Sequence, residues 1–519
     1  MNLDQFLHNL QFDTAKVRPP DWEVDWEDAP LSYKLYRDLP VFPFSPEVPL
    51  TLEACQTSSQ PDFKAIGHFL WYVFGLAQVS QFMNDPEQMD YMQSFRRFAP
   101  SGGALYPNEL YIYLKIEELP AGVYHYDVAH HRLVLVREGN FDDYLDQALG
   151  GRCDMTTCFG TVFVSTMFWK NFYKYHDFSY RLQGLDAGVL MGQLLEVAKK
   201  FGFSTGVSFQ FLDRAINHLI GLSEQEESTY AAILLSVEAT NEVAFEREIK
   251  RAVTSVELCK ALPAIARTHY ERSQKIIEYP MLVQMNEASI IETTCSFQGI
   301  EAKEARSGKG MGSIDLPAVE RLSYDLATIC RKRFSPEMDF VLGKVSKVQL
   351  ATLLQEASAS FSYTNDVDEK QEHDVSIYAC LHQVEDISDG AYVYDRANHA
   401  LRLVQQGDQR TQLQYAMSLD NVNLLQVPIC LHVAGNRDHR KKELSYRGYR
   451  IQQMEAGMLV QRLLLVATAL DMGGHPLLGF DVNVCDDIYK KGLHEKTTLI
   501  QVPIGPYRGR PWLKGSLHG

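Results

Sequence analysis

The chain has 519 residues, 45% of them hydrophobic and 22% charged, and its formal charge is −16. That length holds two or more domains with sizeable cores and needs no disulfide staples. The acidic balance argues against general nucleic-acid or anionic-membrane binding. Nine cysteines are scattered without a CxxC pair, so neither a disulfide framework nor a structural zinc is expected. The opening MNLDQFLHNL lacks a basic stretch leading into an apolar one, so no secretory signal is expected. The apolar windows at 69–79 and 458–470 are too short or too polar to cross a bilayer. The expectation is a soluble, cytoplasmic protein with no metal.

In chain order, FRRFAPSGGALYPNELYIYL (95–114) comes first among the unusual stretches. Its small-residue turn Pro100-Ser101-Gly102-Gly103 follows a basic pair and leads into the strand YIYLKI (111–116). Absent side chains there let backbone amides approach a ligand closely. GVYHYD–RLVLV (122–136) reads as a hairpin, with Tyr124 and Tyr126 in core and face positions and His130-His131 in a solvated turn. TVFVSTMF (161–168) is a strand. FWKNFYKYHDFSYR (168–181) is so rich in Lys, Tyr and Phe that its Lys174-Tyr175 pair is expected from composition alone. DAGVLMGQLLEVAKKFG (186–202) has helical spacing and ends on Gly202 as C′ residue. AILLSVEA (232–239) is a strand. Residues 245–320 form a connection whose flexible tip is SGKGMGS (307–313), which lacks the spacing of a phosphate loop. RKRF (331–334) precedes an apolar helix, QLATLLQEA.

The remainder repeats what came before. Residues 122–139 and 390–407 are identical at 10 of 18 positions, at an offset of 268. YRLQGLDAGVLMGQLLEVA (180–198) and YRIQQMEAGMLVQRLLLVA (449–467) share 10 of 19, at an offset of 269. PICLHVAG (428–435) repeats the 161–168 strand. A nearly constant offset means that one whole unit is duplicated. The division is 1–245, a connecting and exchanged segment at 246–320, and a diverged second unit at 321–519. Strands mixed with long helices imply α+β layers, and two copies in one chain imply an intramolecular pseudo-dimer.

PSGGALYPNELY (100–111), the 122–136 hairpin and KYHDFSYRLQGLDAG (174–188) stand in an order that resembles the SagB-type dehydrogenase branch of the FMN-dependent nitroreductase-like superfamily. VDWEDAPLSYKLYRDLP (24–40) is similar to that branch as well. In the second unit, RKRFSPEMDFVLGKVSKVQLATLLQEA (331–357), PLLGF (476–480) and IGPYRGR (504–510) resemble the superfamily's basic amino-terminal motif, flavin-covering loop and phosphate-contacting tail. The resemblance implies two nitroreductase-like α+β domains with long interface helices and FMN between them. It implies that Pro100, Ser101, Gly102 and Gly103 meet the flavin from the first copy; Arg97, beside the turn, either joins them or lies on the surface. Arg331, Arg333, Leu478, Gly479, Arg508 and Arg510 would meet the flavin from the second. Guanidinium groups suit a phosphate, and amides near the ring carbonyl suit a reduced flavin.

The departures are complementary. The second unit has SASFSYTNDVDEKQEHDVSIYAC (358–380) in place of the Pro-Ser turn, and the first has SFQF (208–211) in place of PLLGF and acidic TNEVAFERE in place of the Arg tail. One composite site stays whole, so one FMN per chain is expected. Lys34 and Arg37 are the cations that would serve its symmetry mate. Lys174 and Tyr175 match the branch's Lys-Tyr motif and are the implied acid–base pair. In the second unit, LSYRGYR (444–450) sets Ser445 where the lysine would fall, with shortened spacing. The implied reaction oxidises a thiazoline or oxazoline in a ribosomal peptide, with dioxygen as acceptor and a cyclodehydratase or peptide-recognition protein as partner. The alternatives are an NAD(P)H-dependent nitroreductase or quinone reductase, and a non-catalytic flavin-binding or assembly partner, since a shared fold does not set the reaction.

Overall fold

A computed structural model describes residues 1–52, 61–85, 90–237, 245, 249, 251–300, 312–367, 375–493, 495–510 and 513–515. The tip at 307–311 and the acidic stretch following strand 227–237 lie largely outside the described residues. Two sheets share one strand order. In the first it runs Val41–Pro43, Arg132–Glu138, Gly122–Asp127, Asn108–Leu114, Gly160–Met167, Glu227–Val237, Phe203–Ser208. In the second it runs Ser313–Asp315, Ala400–Gln406, Gly390–Asp395, Ser376–Leu381, Ile429–Asn436, Lys496–Gly505, Gly473–Gly474. Both expected hairpins form, with Tyr126 opposite Leu133 and Tyr394 opposite Leu401. Their β-branched and aromatic residues suit a buried pleated surface.

The two copies exchange segments. Thr364–Asn365 of the second copy adds to the first sheet, pairing in parallel with Phe203–Ser208. Leu513–Gly515 pairs with Leu76–Asp85, which pairs in turn with Asp90–Arg97 to make a third, small sheet. The helix Leu3–Phe12 crosses to the second copy, where Gln11 donates to the Thr498 carbonyl (2.6 Å). The helix Pro280–Ser289 reaches the first copy in turn, its Asn286 donating to the Glu224 carbonyl (3.5 Å). Reciprocal contacts of this kind are those of a two-fold dimer, here held in one chain.

The helices Ser179–Lys200 and Arg447–Ala469 form the axis of the molecule and are buried along nearly their whole length. The first starts earlier than its apolar spacing indicates, at Ser179, and Gly202 follows it at φ +66. The helices pack backbone to backbone. A Cβ on Gly188 would overlap the Met454 carbonyl, and one on Gly457 would overlap the Leu185 carbonyl. Tyr180 stacks on its counterpart Tyr449, with centroids 6.0 Å apart at 13°. One apolar core therefore runs through both copies, and a smaller core lies on the outer side of each sheet. Among the described residues, no helix is long and apolar enough to cross a membrane.

Candidate active site

The turn after strand Asp90–Arg97 is wound tightly. Gly103, Ala104 and Tyr106 all have left-handed backbones, at φ +64, +56 and +50. Such strain persists only where the surroundings over-determine it, and Asp186 of the first central helix does so here. Its carboxylate accepts from Ser101 Oγ (2.6 Å) and from the Gly102 amide (3.0 Å), while Ser101 Oγ accepts from the Tyr106 amide (2.9 Å). Burial pushes the Asp186 carboxyl up to about 6. The Ser101 hydroxyl and the Gly102 amide, expected to face a ligand, are thus committed inside the turn. Pro100, partly buried, leads into it.

Gly103 borders the Lys-Tyr pair. A Cβ on Gly103 would lie 2.5 Å from Tyr175 Oη and 2.9 Å from Lys174 Nζ. Lys174 and Tyr175 end the helix Trp169–Tyr175, which stops at His176 with φ +51. Lys170 fastens that helix to the sheet by pairing with buried Glu109, which also binds His125 Nε2 (2.8 Å). Burial, reinforced by the charge of Arg18, lowers the Lys174 pKa. Burial, reinforced by Asp186, raises that of Tyr175. Lys174 Nζ also sits 5.2 Å from the centre of the Trp26 ring.

On the other side of the turn, cations from both copies converge. Arg96 of the first copy donates to the backbone carbonyls of Arg331 (2.6 Å) and Arg333, and burial beside Arg333 holds its pKa down to about 10. Arg333 is buried, and its Nε and that of Arg96 have no hydrogen-bond partner. Lys514 Nζ lies 5.2 Å from the Phe334 ring, its pKa lowered by burial and then by Arg96 and Arg510. His475 is pushed down to about 4, chiefly by burial. Phe334 stacks with Tyr507 at 5.8 Å. Crowded cations with unpartnered guanidinium nitrogens fit a dianionic phosphate such as that of FMN.

The other expected residues are placed differently. Arg97 is fully buried, stacked over Phe74 (4.0 Å) and Tyr106 (4.6 Å) and donating to the Ser32 carbonyl. Arg331 turns toward the first copy, donating to the Leu50 carbonyl (2.5 Å) and the Tyr72 hydroxyl (3.3 Å). Arg510 pairs with Glu337 (2.6 Å) and Asp339, and exposed Arg508 donates its amide to the Asp339 carbonyl (2.9 Å). Leu478 packs against the shared core, and the Gly479 carbonyl accepts from the Ser418 amide (2.8 Å). The three arginine side chains drawn into ion pairs or carbonyl contacts, Arg97, Arg331 and Arg510, lacked any signal in sequence, because their partners lie in other segments. Arg96, Lys514 and His475 went unrecognised for the same reason, although Arg96 adjoins Arg97.

The symmetry-related place is filled by the chain itself. Asp366, in the segment that replaces the Pro-Ser turn, accepts from the amides of Phe209 (2.8 Å) and Gln210 (3.0 Å) and from Ser208 Oγ (2.8 Å). Arg152 pairs with the same carboxylate (2.6 Å). These amides belong to SFQF, the counterpart of PLLGF. Lys34 is buried against Glu227 (2.6 Å) and Arg37 lies over Tyr270 (5.3 Å). Ser445 does not stand at the lysine position with shortened spacing. It ends its helix at φ +52 as His176 does at φ +51, so the offset of 269 holds and Glu443-Leu444 replace Lys174-Tyr175. Local similarity around Ser445 misplaced the match; backbone geometry corrects it. His131, expected in solvent, is buried with Nδ1 against Tyr126 Oη (2.9 Å). Elsewhere, His382, Asp389 and Asp408 approach one another closely enough to share a cation, but Arg410 forks onto Asp408.

Fold and site together define a duplicated α+β scaffold in which Arg96 of one copy meets Arg331 and Arg333 of the other. The profile of the nitroreductase family matches residues 77–234 and 333–505, more than half of the chain, and the chain belongs to that family. It is 28% identical over 149 residues to the trifolitoxin-processing protein TfxB of Rhizobium leguminosarum bv. trifolii, a match covering 28% of this chain and 40% of TfxB. It is 26% identical over 131 residues to a protein of Methanocaldococcus jannaschii named as a nitroreductase, covering 25% of this chain and 64% of that one. The chain thus spans less than two thirds of either relative in these matches. A crystal structure from Anabaena variabilis, assigned to the nitroreductases, superposes with a TM-score of 0.76 at 19% identity, covering 98% of this chain and 99% of that one. That likeness extends the tandem fold to a second protein.

Proposed function

We propose that this nitroreductase-family protein is an FMN-dependent oxidoreductase of the SagB type, which dehydrogenates thiazoline or oxazoline rings of a ribosomally made peptide to azoles. The observation that carries the proposal is the packing of Lys174 Nζ and Tyr175 Oη against Gly103, in the turn that follows the strand from which Arg96 reaches Arg331 and Arg333 of the second copy. The similarity to a toxin-processing protein supports a peptide substrate. A cytoplasmic setting and a cyclodehydratase or peptide-recognition partner belong to the same proposal.

Azoline oxidation removes two electrons and two protons. Bound flavin would supply the acceptor for the ring hydride, and dioxygen, reduced to peroxide, would close the cycle. The chain supplies the rest. Lys174, its pKa lowered by burial and Arg18, takes the proton from the neighbouring ring carbon as a neutral amine. Tyr175, held protonated by burial and by Asp186, donates a hydrogen bond to the ring heteroatom. Asp186 keeps the turn in the shape that seats both. Arg96, Arg333 and Lys514 would hold the phosphate, and Asp366 takes up the amides that would face the symmetry mate, so one FMN per chain is expected. Released FMN counted against protein tests the last point; a ratio near two refutes it. The reaction is tested by anaerobic mixing with an azoline peptide and, separately, with NADPH. Rapid flavin bleaching by the peptide supports the proposal. Bleaching by NADPH alone supports a nitroreductase or quinone reductase, and a protein that takes up no FMN is a non-catalytic partner.

A further inference from the structure

The stretch from Arg18 to Tyr36 crosses the first copy as a strap over the helix that ends in Lys174-Tyr175. Trp22 Nε1 donates to the Tyr173 carbonyl (3.1 Å), and its ring meets His176 edge-on at 5.2 Å. Asp28 accepts from the amides of Gln274 (2.7 Å) and Lys275 (2.9 Å), and Asp25 pairs with Lys275 (3.0 Å). Arg97 donates to the Ser32 carbonyl beneath the turn. The strap is therefore tied down on both sides of the Lys-Tyr pair.

Trp26 stands out on this strap. Its ring meets Tyr173 edge-on (6.1 Å, 88°) and the ammonium of Lys174 (5.2 Å), yet 58% of the residue remains exposed. Trp22, four residues earlier, is largely spent on packing and a hydrogen bond; Trp26 packs only edge-on against Tyr173 and leaves most of its ring open. A large aromatic ring left open beside a reactive amine is the kind of residue that dominates binding once covered. Stacking on a flat heterocycle is sequence-tolerant and favours a planar ring over a puckered side chain. Exposed Asp21, Glu23 and Glu27 on the same strap make its rim negative, a poor neighbour for dinucleotide phosphates and a good one for basic side chains.

We propose that Trp26 is a substrate-binding residue that stacks on the heterocycle of the peptide and sets it against Lys174. This inference rests on the azoline reading given above. Two synthetic peptides test it: one carrying a single thiazole, the other with serine in place of the ring. Binding is measured by calorimetry on the FMN-loaded protein, so no turnover is needed. The wild type is expected to prefer the thiazole peptide. W26F should keep the preference, while W26L should lose it about tenfold and retain its FMN. A second readout is the pH profile of amine labelling at Lys174, followed by mass spectrometry. The aromatic ring stabilises the ammonium, so W26L should shift the labelling midpoint to lower pH and W26F should restore it. If the wild type does not discriminate between the peptides, the azoline reading fails. If it discriminates and W26L does so equally well, the assignment of Trp26 is overturned.

Discussion

Replacing Gly103 by alanine perturbs the site with a single methyl group. Gly103 has φ +64, a backbone that costs an L-residue roughly 1–2 kcal/mol. Neighbouring Ala104 already occupies that region at φ +56, so the turn bears the cost without unfolding. The larger effect is steric. The new Cβ would stand 2.5 Å from Tyr175 Oη and 2.9 Å from Lys174 Nζ, whereas ordinary contact begins near 3.4 Å. Tyr175 Oη must retreat by about 0.9 Å, and a misplacement of about 1 Å in a catalytic group costs on the order of 10²-fold in rate. Single-turnover flavin reduction by an azoline peptide should therefore slow about 100-fold, with FMN content unchanged and a modest fall in Tm. Tyr175→Phe removes the nearest atom, so adding it to Gly103→Ala should cost less than adding it to the wild type. If Gly103→Ala turns over within about threefold of the wild type, or loses rate only in proportion to lost FMN, the Lys174–Tyr175–Gly103 geometry does not govern the chemistry.

Arg333→Ala should weaken FMN binding about 10–100-fold, the worth of a charge-assisted hydrogen bond, measured by flavin fluorescence. Arg331→Ala should leave FMN affinity near wild type and lower Tm, because Arg331 bonds Leu50 and Tyr72. Turnover should rise with pH as Lys174 loses its proton below the ordinary lysine range, and Arg18→Gln, by removing a like charge, should move that midpoint upward. Asp186 carries a carboxyl raised from 3.8 to about 6, so the folded state holds its proton more tightly than the unfolded chain. Its contribution is fully present below pH 3.8 and is lost as pH rises through about 6, a change of about 3 kcal/mol. Urea melts between pH 4 and 7 should show Asp186→Asn gaining stability on the wild type as pH rises; parallel curves would refute the assignment.

Sequence alone determined the duplication, the α+β class, both hairpins and the two central helices, but not strands such as Phe203–Ser208 and Lys496–Gly505 or helices such as Phe63–Phe74 and Val482–Leu493. Those features follow from local periodicity and from self-similarity at a steady offset, and both are written along the chain. It also singled out the turn at 100–103, the Lys174-Tyr175 pair and the asymmetry between the copies. Tertiary structure alone decided which charges are available. Arg331, Arg510 and Lys34 have the residue type for holding an anion, yet Leu50, Glu337 and Glu227, from distant segments, claim them. Arg96, Lys514 and Arg333 are separated by hundreds of residues, and only the exchanged strands bring them together. Asp366 takes up amides of the other copy, and Glu443 holds the position that answers to Lys174. Periodicity reports which face of an element is buried; whether a polar group on it is free or partnered depends on what the fold sets opposite, since a buried charge is bound by whichever counter-group comes within reach.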